Sequence, residues 1–199
     1  MVTLSGAQSP AALIIVSPSA GPTIHPGQAF AISVHVASGS YPYGVGILGQ
    51  DPLGLAGPNP VVGGMVSFTL TVPANTPPGF YEITAAAADS TGALVSSEPL
   101  TVDVERSDIP TSLLVFPPAV GVQFYVGNTL LLTVVGIFPS KQEVDLTRST
   151  KLKFNSKNAS VAVVQNGMLS AVGVGQTNVE VQYGMITEEI SVTVMAGAR

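Results

Sequence analysis

Apolar residues recur at every second position in short stretches along the whole chain. In the first half, Phe30, Ile32, Val34 and Val36 alternate with Ala31, Ser33, His35 and Ala37. Phe68, Leu70 and Val72 alternate with Ser67, Thr69 and Thr71, and Leu100, Val102 and Val104 with Thr101 and Asp103. The second half repeats the pattern in Val120, Val122 and Phe124, in Val179, Val181 and Tyr183, and in Ile190, Val192 and Val194. A period of two belongs to strands with one face in a core and the other in water. Leu130 to Phe138 is apolar almost throughout and reads as a buried strand. Ala85 to Ala88 is the one helix-like run. It follows Phe80 to Thr84 and stops before Asp89, too short to nucleate a helix, and is expected to continue a strand.

Turn signals separate these stretches at close intervals: Pro26-Gly27, Pro77-Pro78-Gly79, Asp89-Ser90-Thr91-Gly92, Gly127-Asn128, Asn166-Gly167, and Gly173 with Gly175. Asn-Gly suits a two-residue hairpin because both central residues take positive φ there. About seven short strands per hundred residues, with no helical period, describe a β-sandwich rather than an α/β fold.

The 199 residues divide near Arg106. Six carboxylates and no Lys or Arg precede it, whereas six carboxylates and all seven basic residues lie from Arg106 onward. Twelve of the sixteen prolines also precede it. The polar run Glu105-Arg106-Ser107-Asp108, followed by Ile109-Pro110, has the composition of a boundary. Two domains are expected, residues 1–106 and 111–199, joined by a linker too short for free tumbling, so that an elongated monomer is predicted.

Composition narrows the chemistry. A net charge of −5 has the wrong sign for a nucleic-acid surface. The chain has no Cys, which removes thiol nucleophiles, disulfides and thiolate zinc sites. Mean hydropathy is positive, yet no run approaches the roughly 20 apolar residues of a spanning helix, so no membrane insertion is expected of this segment. No Lys or Arg precedes Arg106, so the start lacks the basic opening of a secretory signal, and Met1 is read either as an added initiator residue or as a cut inside a longer protein.

Residues 112 to 194 resemble a group 2 bacterial immunoglobulin-like domain. The resemblance rests on Val126-Gly127-Asn128-Thr129-Leu130, on Val144-Asp145-Leu146-Thr147, and above all on Phe154 to Val164 followed by Asn166 to Gly175. Phe154 stands where that family usually has Trp. The first half resembles bacterial immunoglobulin-like domains more loosely, through Val72 to Tyr81 leading into Ala88 to Gly92, with Tyr81 in a corner role. The resemblance implies two tandem immunoglobulin-like β-sandwiches of a bacterial secreted or cell-surface protein, with neighbouring domains as partners and no catalysis. It also implies that Phe154 and Val163 lie in the second core.

Few residues offer chemistry. His25 and His35 are the only histidines, one in a Pro-flanked loop and one on the outward phase of a strand, so neither has a second ligand at a useful spacing. Asp51, Asp89 and Asp103 are the calcium candidates, but Asp89 followed by Gly92 is what a hairpin turn requires, and no metal or cofactor is expected. Glu188 and Glu189 are adjacent on a strand and face opposite ways, which excludes a close acid/base pair. Asn158-Ala159-Ser160 fits a glycosylation sequon but lies inside the run carrying the family resemblance. Tyr41 and Tyr43, flanking Pro42, are the candidate contacts for a glycan or protein ligand, because exposed tyrosines offer apolar faces with a polar tip. A structural spacer is therefore expected, with a binding module using Tyr41 and Tyr43 as the alternative.

Overall fold

The structure is a computed structural model and describes residues 12–37, 44–61, 64–88, 92, 94–117 and 122–197. The chain divides into two compact units, one of Met1–Thr76 and Phe80–Val104, the other of Pro77–Gly79 and Glu105–Arg199.

The strands of the first unit are β1 (Leu13–Ser17), β2 (Thr23–Ile24), β3 (Ala29–Val36), β4 (Gly44–Gly49), β5 (Leu55–Asn59), β6 (Met65–Thr71), β7 (Gly79–Ala88), β8 (Leu94–Ser96) and β9 (Leu100–Val104). One sheet has the order β1-β3-β6, the other β2-β9-β7-β4-β5 with β8 paired to β7. The short β2 runs parallel to the last strand, with Thr23 beside Asp103 and Ile24 beside Val104. The first edge of the chain thus begins in one sheet and crosses to the other. The period of two then does its work: Ile32, Val34, Phe68 and Leu70 from one sheet meet Val45, Ile47, Ile83, Ala85 and Val102 from the other. Each such burial contributes about 1.5–3 kcal/mol. Ala85 to Ala88 extends β7, because tertiary burial of alternate alanines outweighs their helical preference. Tyr81, near the start of β7, is buried.

The second unit contains β10 (Ser112–Phe116), β11 (Val122–Tyr125), β12 (Thr129–Leu131), β13 (Thr133–Ile137), β14 (Glu143–Asp145), β15 (Leu152–Ser156), β16 (Ala162–Gln165), β17 (Met168–Ala171), β18 (Gly175–Tyr183) and β19 (Ile186–Met195). The orders are β10-β13-β14, β12-β17-β16 and β11-β19-β18-β15. Here too an early strand, β11, lies parallel to the last, β19. Asn166 and Gly167 take φ of 49° and 78° in a two-residue link between β16 and β17, as the Asn-Gly pair predicts. In both units the first strand segment pairs with the second long strand, and the next runs parallel to the last. That is the strand order of an immunoglobulin-like sandwich, and the protein is all-β with two of them in tandem.

Three expectations shift on contact with the structure. Leu130 to Phe138 is not one buried strand: it breaks at Leu132, whose N–H donates to the Gly167 carbonyl, so that β12 pairs with β17 whereas β13 pairs with β10 and β14. Leu132, Val134 and Phe138 face the core while Leu131 is half exposed. Val163 does not join the core. The N–H groups of Val161 and Ala162 both donate to the Asn158 carbonyl, a helical turn that moves the register by one. Val161 and Ala162 are buried, Val164 packs behind them opposite Leu169, and Val163 pairs with Ser170 on the other face. Phe154 does pack against the core, though only half-buried, beside Val181 on β18.

Candidate functional site

Tyr41, Tyr43 and Asp89 lie outside the described residues. What directly follows Tyr43 is β4, and its outer face carries a groove of about 570 Å³. The groove floor is made of small residues from neighbouring strands, Gly44 opposite Ala88 and Gly46 opposite Ala86. Its walls are Leu48, Leu55, Pro58 and Leu94. Leu94 is 86% exposed and Leu55 74% exposed, so these side chains are held out in water rather than in the core.

Among the described residues no ionisable side chain lines the groove, and the side-chain amide of Asn59 donates to the Ser67 carbonyl at 3.4 Å. Gly57 is required by the backbone: its φ is 90°, and a Cβ there would stand 2.9 Å from the Phe68 ring. Gly46 differs. It lies at a break in register between β4 and β5, yet a Cβ there would meet only the Ala56 carbonyl oxygen, at 3.5 Å. Such a surface can take apolar matter, and its described lining residues offer no acid, base or nucleophile.

The two histidines occupy different elements. His25 is exposed in a turn whose backbone N–H donates to the Gln28 side chain. His35 sits on the outer side of β3, between Ile14 of β1 and Met65 of β6. Thr23 Oγ1 donates to Asp103 at 3.4 Å, tying β2 to β9, and Asp51 is exposed in the turn after β4. Among the described residues no three His, Asp or Glu side chains stand close enough to hold a metal ion. Glu189 pairs across the strands with Glu180, which forms an ion pair with Lys157, while Glu188 lies opposite Val181. The Asn158 side chain accepts from the Ser160 N–H at 3.1 Å and from the Ser160 hydroxyl at 2.7 Å, so it organises its own turn.

One constellation escaped the sequence altogether. Glu105, read as part of a polar boundary, is only 1% exposed. Its Oε1 accepts from the Thr150 N–H at 2.6 Å and from the Thr150 hydroxyl at 3.0 Å, and the Ser149 hydroxyl lies 2.9 Å from both carboxylate oxygens. Burial first, then the neighbouring Glu105 carboxylate, pushes the Tyr183 phenol above its ordinary pKa. Next along the chain, Arg106 makes a bidentate pair with Asp108, at 2.7 and 2.8 Å, and its guanidinium lies 4.2 Å from the centre of the Phe138 ring. The Arg106 guanidinium holds the Asp108 carboxyl below the usual carboxylate range. No spacing rule links Glu105 to residues more than forty positions away, so only the fold discloses this set.

No known family profile matches the chain. No curated protein is similar to it in sequence. Solved structures that share the general form include the fibronectin(III)-like modules of Clostridium thermocellum CbhA, at 18% identity and a TM-score of 0.39, covering 92% of this chain and 93% of that one. The D00-D0 domain of intimin matches at 18% identity and a TM-score of 0.35, covering 92% and 96%. Domains 5-6 of the S-layer protein SbsC match at 14% identity and a TM-score of 0.34, covering 96% and 99%. At these scores the likeness assigns nothing, and the immunoglobulin-like character rests on the strand order described above.

Proposed function

We propose that this chain is a non-catalytic spacer of a bacterial secreted or cell-surface protein, a pair of sandwiches that presents neighbouring domains. The second sandwich is of the group 2 bacterial immunoglobulin-like kind, on the strength of Phe154 to Val164 and Asn166 to Gly175. The observation that carries the spacer reading is that each unit has an apolar core of its own and the immunoglobulin-like strand order, the build of a self-contained module. Self-contained modules in tandem suit a distance-setting element, and the chain acts as a monomer with neighbouring domains as its partners.

A second reading is favoured by the groove on β4, whose first residue follows Tyr43 directly. In that reading the segment is a binding module for a host or cell-surface glycan or protein, with Tyr41 and Tyr43 as contacts. A glycan array and a cell-binding assay on the wild type and on the Tyr41→Ala/Tyr43→Ala double variant separate the two. The spacer reading expects no binding by either protein. Binding by the wild type that the double variant loses replaces it with the module reading.

A further inference from the structure

Residues 105–110 read as a linker in the sequence, yet Glu105 and Arg106 are fastened to the second unit and Pro110 is buried, with Ser107 to Ile109 exposed between them. The Glu105 carboxylate fills the acceptor role for Ser149 and Thr150, as described above. The Lys151 ammonium donates to the Arg106 carbonyl, and Lys151 N–H donates to the Ser149 hydroxyl at 3.2 Å, so one short loop grips both residues. Pro110 is buried, and the Thr111 N–H and hydroxyl donate to the Ile137 carbonyl at 2.6 and 2.9 Å, where β10 begins. A buried carboxylate is costly unless it is hydrogen-bonded, and here a backbone N–H and two hydroxyls are among its donors.

We infer that Glu105 to Asp108 form a strap of the second sandwich, locked by the Glu105 carboxylate on Ser149 and Thr150, and that the strap shields the Arg106–Ser107 peptide bond from proteases. The shielding has a definite consequence in this sequence. No Lys or Arg precedes Arg106, so a trypsin-like protease can release the first unit whole only by cutting there. A cleft protease needs roughly the bond and its flanking residues extended and free, and a segment pinned on both sides of the bond must open first. Cleavage then follows the population of the opened strap.

Limited trypsin digestion of the full chain under native conditions, read by mass spectrometry, tests this. The fragment 1–106 should appear more slowly than fragments cut at Lys141, which is exposed in a turn. In Glu105→Ala, cutting after Arg106 should rise about tenfold or more, because hydrogen bonds to a charged group are lost, while cutting at Lys153 in β15 stays unchanged. Glu105→Gln keeps an oxygen for Thr150 and should stay within about threefold of the wild type. Equal cutting after Arg106 in the wild type and Glu105→Ala overturns the strap. So does a variant that opens Arg106 and Lys153 alike, because the carboxylate then supports the core rather than the strap. Hydrogen exchange on the wild type gives a check that needs no variant: the Thr150 amide should be protected like the strand amides, and rapid exchange there also overturns the inference.

Discussion

The corresponding sheets of the two units are built alike and clothed differently. In the first, the outer face of the sheet containing β4 and β7 presents Gly44, Gly46, Leu48, Ala86 and Ala88, with Leu55 and Leu94 on neighbouring strands and the exposed Glu82 farther back along β7, and none of the described residues lining the groove is charged. In the second, the outer face of β15, β18 and β19 presents Lys153, Gln182 and Thr187 in one row and Asn155, Glu180 and Glu189 in the next. Lys157 offsets the two adjacent glutamates through its pair with Glu180. The inner faces of both sheets are mostly apolar. What differs is what each unit offers to water, and the fold tolerates either because outward positions contribute little to stability. An exposed apolar groove on one unit and rows of charged and polar side chains on the other give the two units different surface chemistry on a shared scaffold.

The comparison breaks most decisively at the cores. Ile83 and Ile190 are both fully buried, one in each unit. Ile83→Ala and Ile190→Ala should each cost about 2–5 kcal/mol by denaturant unfolding. Hydrogen exchange resolved by residue should show each loss confined to its own unit. Loss of protection in both from either substitution would make the two units one cooperative body and the comparison void.

A smaller effect sharpens the register of the second unit. Phe154 packs half-buried on the core while Val163 faces away with Ser170. Phe154→Ala should therefore cost about 2 kcal/mol, less than a fully buried Phe, and Val163→Ala no more than about 0.5 kcal/mol. A larger loss from Val163→Ala in thermal unfolding would restore the register that the family resemblance implies.

The smallest expected change in stability tests the outer faces. Leu55→Lys combined with Leu94→Lys should leave the unfolding midpoint within about 0.5 kcal/mol of the wild type, because both side chains are already in water. The same pair should abolish fluorescence enhancement of an apolar dye such as anilinonaphthalene sulfonate, if the groove is the surface that takes the dye. A matching change on the second unit, Lys153→Ala, should leave the dye signal as it was. Enhancement that survives the leucine pair would place the apolar surface elsewhere.

Much of the fold was legible from alternation because a strand's period is two and each sandwich buries one side of each strand. Phe30 to Val36, Phe68 to Val72 and Val179 to Tyr183 lie where that rule puts them, and the Asn166-Gly167 hairpin follows from two residues that tolerate positive φ. The register after Asn158 was not legible. A helical turn there is decided by which N–H groups reach one carbonyl, and a slip of one residue exchanges the faces of everything that follows. The candidate contacts Tyr41 and Tyr43 precede the groove in sequence, but the groove itself depends on pairing Gly44 and Gly46 with alanines some forty residues away.

The sequence by itself determined that this protein is all-β, where most strands run, and which faces of them are apolar, since these depend on neighbours one to four positions apart. Only the tertiary structure decided the fate of Glu105. By composition it is one polar residue in a polar run, and its role comes from Ser149 and Thr150, whose hydroxyl and amide donors reach it only once β13, β14 and β15 have folded the intervening chain back. A buried carboxylate is stable where its donors converge, and convergence across more than forty residues is a property of the fold that no local pattern encodes.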